Sequence, residues 1–299
     1  MTFDLVVKNG MIVDGSGLPR YRGDIGVKDG KIAEIGRIAS TAKETLDAEG
    51  HVVTPGFIDG HTHMDAQIFW DPIGTSSCFQ GVTSVVMGNC GFTLAPCRES
   101  EADLVFRNLE RAEDISRAAM LAGIKWRWET FPEFLDVLDT LPKGINYAGY
   151  MGHCALRTYV MGQRAFSDEA SADDLARMVQ LTREAMAAGA HGFSTTRSVN
   201  HQTSDDKPVA SRLATWHEFE TLVKAMGAGM VEVAGEPAGA NSEKARIYYE
   251  GLSKLAIESG RPITFGLFNR RTVPGGWRST FDIIERTCRQ GGRSRSRAC

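Results

Sequence analysis

From residue 52 onward the chain repeats one unit: a short apolar strand, a glycine-bearing turn and a long amphipathic helix. The strands fall at 52–58, 82–87, 145–150, 192–195, 230–233 and 262–268. Helical periodicity fills the gaps at 101–121, 130–141, 171–188, 215–226, 242–259 and 279–287. The helix at 130 opens on Thr130 with Glu133 three residues on, a capping-box spacing. Such alternation commits a chain to a parallel sheet with helical crossovers. Eight units close a TIM-type (β/α) barrel, which takes roughly 200 residues or more. The expectation is therefore an α/β fold in which about six of the eight barrel units are present.

Two regions lie outside this repeat. Residues 4–55 alternate with period two, and Asp29-Gly30 supplies a hairpin turn between 24–28 and 31–36. A few such strands form a weak core alone and need a partner sheet. The last stretch, Cys288-Arg-Gln-Gly-Gly-Arg-Ser-Arg-Ser-Arg-Ala-Cys299, shows no apolar periodicity and is read as an irregular Arg/Ser-rich tail that adds no seventh strand. The domains expected are 1–55, an N-terminal β portion; 56–287, the incomplete barrel; and 288–299, the tail.

Arginine clusters only in that tail, and the whole chain carries a net charge of −3, so no nucleic-acid partner is expected. No stretch approaches the ~18 apolar residues of a membrane span, and the first residues lack the basic and apolar regions of a signal peptide. Six irregularly spaced cysteines suit reduced thiols better than a disulfide framework, which points to the cytoplasm.

The sharpest chemical signal closes the first barrel strand: Pro55-Gly-Phe-Ile-Asp-Gly-His61-Thr-His63-Met-Asp65. Residues i and i+2 of an extended segment point to one side, so both imidazoles can reach one metal ion. Cys90 sits in the same place after the second strand, between Gly88 and Gly91, and thiolate is a strong zinc ligand. Buried cysteines are common, so placement rather than residue type carries Cys90, while Cys78 and Cys97 read as structural. The third strand end brings His153, Cys154 and Arg157, and the fourth brings Arg197, Ser198, His201 and Asp205. His153, Arg157 and Arg197 are the candidate substrate-binding residues, because arginine grips a carboxylate in two-pronged fashion. A satisfied polar loop residue or helix cap is the alternative for each. His51, His191 and His217 read as structural.

These segments, with Lys8-Asn-Gly-Met-Ile-Val-Asp-Gly-Ser-Gly, Gly81-Val-Thr-Ser-Val-Val-Met-Gly-Asn-Cys-Gly, Trp126-Arg-Trp-Glu-Thr-Phe, Gly152-His-Cys-Ala-Leu-Arg and Pro208-Val-Ala-Ser-Arg, resemble the D-aminoacylase (N-acyl-D-amino-acid deacylase) branch of the amidohydrolases. The likeness runs from about residue 3 to about residue 285. It implies a metal-dependent-hydrolase barrel and a small β-sandwich assembled from both chain ends, with 1–55 as its first share. It implies Zn2+ held by His61, His63 and Cys90, and a small-molecule substrate, an N-acyl amino acid hydrolysed at a non-peptide C–N bond. In such chemistry zinc activates a water and polarises the scissile carbonyl, and a carboxylate passes the proton to the leaving amine. The family's metal histidines after the fifth and sixth strands have no counterpart at 233–237 or 265–269, where Glu236 or Glu232 stands as an alternative oxygen ligand. Its catalytic aspartate follows an eighth strand that this chain does not contain, so the reading is of a truncated member with no catalytic residue assigned. Two alternatives share the same residues: a dihydropyrimidinase-like cyclic-amide hydrolase, and a non-catalytic fragment.

Overall fold

A computed structural model of the chain describes residues 2–111, 114–235, 243–267 and 275–298. It divides into two compact units, Met1–Phe57 and Ile58–Cys299.

In the first unit, strands β1 (Phe3–Ile12), β2 (Tyr21–Lys28), β3 (Lys31–Gly36) and β4 (Ala42–Asp47) form a sheet of order β3-β2-β1-β4, and β5 (Val52–Val53) pairs with β1. The β2–β3 hairpin turns where the sequence predicts it: Asp29 and Gly30 take φ of 52° and 71°, the left-handed pair such a turn requires. Phe3, Val6 and Ile38 make its small core.

The second unit carries a parallel sheet of seven strands in chain order. They are β6 (Phe57–Asp59), β7 (Val82–Met87), β8 (Asn146–Gly152), β9 (Gly192–Thr196), β10 (Met230–Ala234), β11 (Ile263–Leu267) and β12 (Ser294–Ala298). The strand predicted over 52–58 is two strands in two sheets, because Pro55 has no N–H to donate and breaks the ladder between β5 and β6.

The tail corrects the sequence reading more substantially. It does supply a seventh strand, β12, paired parallel to β11 with Ile263 opposite Ser294 and Leu267 opposite Ala298. The ladder asks only for backbone donors and acceptors. Ser294, small and polar, is buried and Arg295 exposed, so no apolar residue marks the start of the strand.

Helices α1 (Thr75–Cys78), α2 (Ala102–Leu109), α3 (Arg117–Gly123), α4 (Phe131–Asp139), α5 (His153–Met161), α6 (Ala172–Ala188), α7 (Trp216–Ala225), α8 (Glu243–Ser259) and α9 (Gly276–Arg289) occupy the connections. The single helix predicted over 101–121 is α2 and α3. Asp114 turns left-handed between them at φ 53°, and Ser116 starts α3 afresh by accepting from the Ala119 N–H. The capping box at Thr130 and Glu133 forms as its spacing predicts. Helix α5 was not expected. It begins on the residue that follows β8, so His153 and Arg157 are successive turns of a helix rather than points on a loop.

The main core runs from Met87 and Phe92 through Phe131, Phe134, Leu156 and Phe193 to Leu222, Val231 and Phe265. On the strands it occupies one face, the register row of Met151, Phe193, Val231 and Ile263, while the opposite face carries Ser194, Glu232 and Thr264.

Candidate metal centre

The site is built at the C-terminal ends of the strands, where barrels of this kind carry their chemistry. His61 and His63 follow β6, and Cys90 follows β7 in a short turn. Their Nε2 atoms are 3.2 Å apart, and Cys90 Sγ lies 3.5 Å from His61 Nε2 and 3.8 Å from His63 Nε2. Metal–nitrogen bonds of about 2.05 Å and a metal–sulfur bond of about 2.3 Å, at tetrahedral angles, put ligand atoms about 3.3 Å (N to N) and about 3.6 Å (N to S) apart. The donor atoms therefore already stand at the separations one metal ion demands. Among the described residues they are the group of three or more such side chains that meets within 4.8 Å.

The protonation state suits that task. Burial, with the His201 charge adding to it, holds the His63 imidazole down at about 4. It is neutral at ordinary pH and keeps a lone pair for a metal.

What fixes the cysteine is a turn in which three N–H groups meet side chains from three separate segments: the loop after β6, β10 and β9. The Gly88 N–H donates to Asp65 Oδ2 at 2.9 Å, the Cys90 N–H to Glu232 Oε2 at 2.6 Å, and the Gly91 N–H to Ser194 Oγ at 3.0 Å. Ser194 in turn donates to the Gly88 carbonyl. The Asn89 amide closes the near side, donating to the Thr62 and Val86 carbonyls at 3.0 and 2.9 Å. The turn is left-handed at Gly88 (φ 76°), Cys90 (φ 58°) and Gly91 (φ 83°). Gly88 has a second reason to be glycine: a Cβ there would stand 2.6 Å from the Tyr150 carbonyl oxygen. Cys90 pays for its left-handed backbone with local strain of the kind that clusters at functional sites.

Two carboxyl groups at this turn are fully buried. Burial raises Asp65 to about 7 and Glu232 to about 8, against the pull of the N–H groups that bond them. Glu232 Oε1 also faces His61 Nδ1 at 3.7 Å. A glutamate in the middle of Met230-Val-Glu-Val-Ala is the sequence sign of this arrangement, since an inward acid in a buried strand needs a partner.

His201 joins the same neighbourhood. Its ring lies 5.2 Å from Phe92, whose ring is 6.1 Å from His63, and its Nδ1 meets Thr196 Oγ1 at 2.8 Å. Asp205 instead pairs with Arg107 at 2.7 Å. Glu236 and Asn269 lie outside the described residues.

His153 and Arg157 do not join the three ligand candidates. Neither exposes any surface. One turn apart on α5, they share a face and converge on Glu218 of α7. His153 Nε2 meets Glu218 Oε1 at 2.8 Å and its Nδ1 meets Thr195 Oγ1 at 2.9 Å. Burial pushes the imidazole down. A neutral ring then donates to the carboxylate and accepts from the threonine hydroxyl. Arg157 Nη1 donates to Glu218 at 2.7 Å and Nη2 to the Asp168 carbonyl at 2.7 Å. Arg197, next to β9, is partly buried, and its Nη1 donates to the Ala214 carbonyl at 2.9 Å.

Glu218 supplies a pH prediction. Burial raises its carboxyl, but the His153 hydrogen bond together with the charge and hydrogen bonds of Arg157 outweigh that and bring it to about 2. A glutamate in the unfolded chain titrates near ~4.3. The folded value is the lower one, so its contribution is full above ~4.3 and is lost as pH falls toward 2. Stability to urea will decline across that window, and Glu218→Gln will flatten the decline. An equal slope in both proteins would show that Glu218 does not titrate there.

Among the described residues, Cys78, Cys90, Cys97, Cys154 and Cys288 form no disulfide. No described helix is long and apolar enough to cross a membrane.

Residues 44–283 match the model of the Amidohydrolase family, and residues 1–55 match that of the urease alpha-subunit, N-terminal domain. The D-aminoacylase of Alcaligenes xylosoxydans xylosoxydans is 40% identical over 196 residues, covering 64% of this chain and 37% of that protein. The N-acyl-D-aspartate deacylase of the same organism is 35% identical over 195 residues, 64% of this chain and 36% of its own length. Among solved structures, the N-acyl-D-glutamate deacylase of Bordetella bronchiseptica, complexed with zinc and a phosphonate inhibitor, superposes with a TM-score of 0.79 at 26% identity. A D-aminoacylase studied for its binuclear metal center gives 0.80 at 28% identity. Both alignments cover 99% of this chain and 58% of the other. The chain thus spans well under two thirds of the length of these relatives.

Proposed function

Given that the chain belongs to the amidohydrolase family, we propose that it is the metal-binding part of a zinc-dependent hydrolase that cleaves the amide bond of N-acyl-D-amino acids. The observation that carries this reading is the donor set of His61, His63 and Cys90, spaced at 3.2, 3.5 and 3.8 Å on two adjacent strand ends. The relatives at 40% and 35% identity are a D-aminoacylase and an N-acyl-D-aspartate deacylase, and they favour an acyl-amino acid over a cyclic amide. When bound, the ion supplies a Lewis acid for the scissile carbonyl and a means of activating water near neutral pH.

The chain's own residues do the remainder. His63, kept neutral by burial, offers its lone pair without first losing a proton. Asp65, Glu232 and Ser194 hold the Cys90 turn in place, so the thiolate is presented rather than free to swing. Arg197, partly exposed beside β9, is the residue we assign to the substrate carboxylate. His153 bonds Thr195, two residues before Arg197, and Arg157 bonds Glu218 of α7.

The test is metal content of the purified, folded chain by plasma mass spectrometry, followed by product analysis on the zinc-loaded protein. The expected result is about one zinc per chain and release of a free D-amino acid from its N-acyl form. Opening of cyclic ureides without deacylation would transfer the chain to the cyclic-amide reading. A folded chain that binds no metal would overturn both.

A further inference from the structure

The geometry points to Glu232 as a shared positioning carboxylate that sets both His61 and Cys90 for metal binding. This inference rests on the metal-centre reading above and adds a residue to it. Glu232 reaches the site from β10, three strands away from β7, and has no exposed surface. One oxygen, Oε2, accepts from the Cys90 N–H at 2.6 Å. The other, Oε1, faces His61 at Nδ1, the ring nitrogen opposite the one that meets His63 and Cys90.

That division matters because the two nitrogens of a histidine constrain each other. A carboxylate at Nδ1 favours the proton there, which leaves the Nε2 lone pair directed at the metal and makes it more basic. The 3.7 Å separation is about 0.8 Å longer than a hydrogen bond. Such contacts are commonly long before a ligand is bound and tighten with it. Glu232 does not stand among the three side chains that meet within 4.8 Å. Its role is to aim two of them.

The same carboxylate stabilises the left-handed backbone at Cys90, φ 58°, by bonding the N–H that this conformation turns inward. Removing the acceptor leaves the Cys90 N–H without this bond, and a neutral acceptor restores the bond but not the charge facing His61. The two functions are therefore separable by substitution.

Two measurements on the full chain test this. The first is zinc affinity by chelator competition for the wild type, Glu232→Gln and Glu232→Ala, with circular dichroism to confirm the fold. Outer partners of metal histidines are worth about 10–100-fold in affinity, so Glu232→Gln is expected to fall in that range and Glu232→Ala below it. Wild-type affinity in both variants overturns the proposal, and a loss beyond about 10²-fold in Glu232→Gln overturns it too, by placing Glu232 in the range of a ligand. The second is the ring-nitrogen NMR of His61 in the metal-free chain at about pH 9, above the value of about 8 to which burial raises Glu232, so that its carboxyl is ionised. The Nδ1–H tautomer in the wild type, shifting toward a mixture in Glu232→Gln, supports the assignment. An Nε2–H ring indifferent to residue 232 overturns it. A wild type that binds no zinc while its His61 tautomer responds to residue 232 would remove the proposed function and leave the positioning role standing.

Discussion

Replacing Cys90 or His63 by alanine is expected to weaken zinc binding by about 10²–10³-fold in each variant. The figure follows from structural zinc sites of four ligands, whose apparent binding free energies of about 10–16 kcal/mol give roughly 2.5–4 kcal/mol per ligand, with about 1.4 kcal/mol to each tenfold. The structure gives both residues equal claim, since each sits within 3.8 Å of the other donor atoms. Alanine at 90 meets the same left-handed backbone as cysteine, so the substitution removes the thiolate without a new conformational cost. Chelator competition reads the affinity, and the far-ultraviolet spectrum reports the fold. If both variants matched the wild type, the three side chains would be neighbours without being ligands.

The second large effect concerns stability. Arg157→Ala is expected to cost about 3–5 kcal/mol, because it leaves a buried carboxylate without its cation. Both residues are sealed from water, with Arg157 fully buried and Glu218 2% exposed. Glu218 would retain only His153, whose imidazole burial keeps toward the neutral form. The double replacement Arg157→Met with Glu218→Gln removes both charges and is expected to cost less than the single one, as it does for buried ion pairs generally. Urea unfolding of the three proteins measures this. A single variant within 1 kcal/mol of the wild type, at the level of an exposed pair, would show that the network contributes little.

Much of the second unit was legible because its signals are local. Apolar strands at 82–87, 192–195 and 230–233 and the helix at 171–188 announce themselves by period. The residues around His61, His63 and Cys90 were legible for a different reason: strand-end position multiplies the weight of a metal-binding residue type. Three things were hidden. The strand β12 has serine where a strand normally shows an apolar residue, so composition concealed its pairing. The start of α5 at His153 carries no side-chain cap, and without it the i, i+4 relation between His153 and Arg157 could not be seen. Their common partner, Glu218, lies 61 residues beyond Arg157 in sequence. The part of Glu232 was visible only as an acid in an apolar strand, because its partner Cys90 is 142 residues away and no spacing rule spans that distance.

That last separation has a consequence for the chain during its synthesis. The thiol of Cys90 emerges from the ribosome well before β9 and β10, which carry the acceptors for its turn. At roughly 5–20 residues per second, the 142 residues between Cys90 and Glu232 take on the order of 7–28 s to make. Through that interval the segment carrying His61, His63 and Cys90 lacks the acceptors that hold its turn. The Glu232 acceptor is in place only once β10 is complete, so on the proposed function the geometry offered to a metal belongs to the finished sheet and not to the ligand-bearing segment.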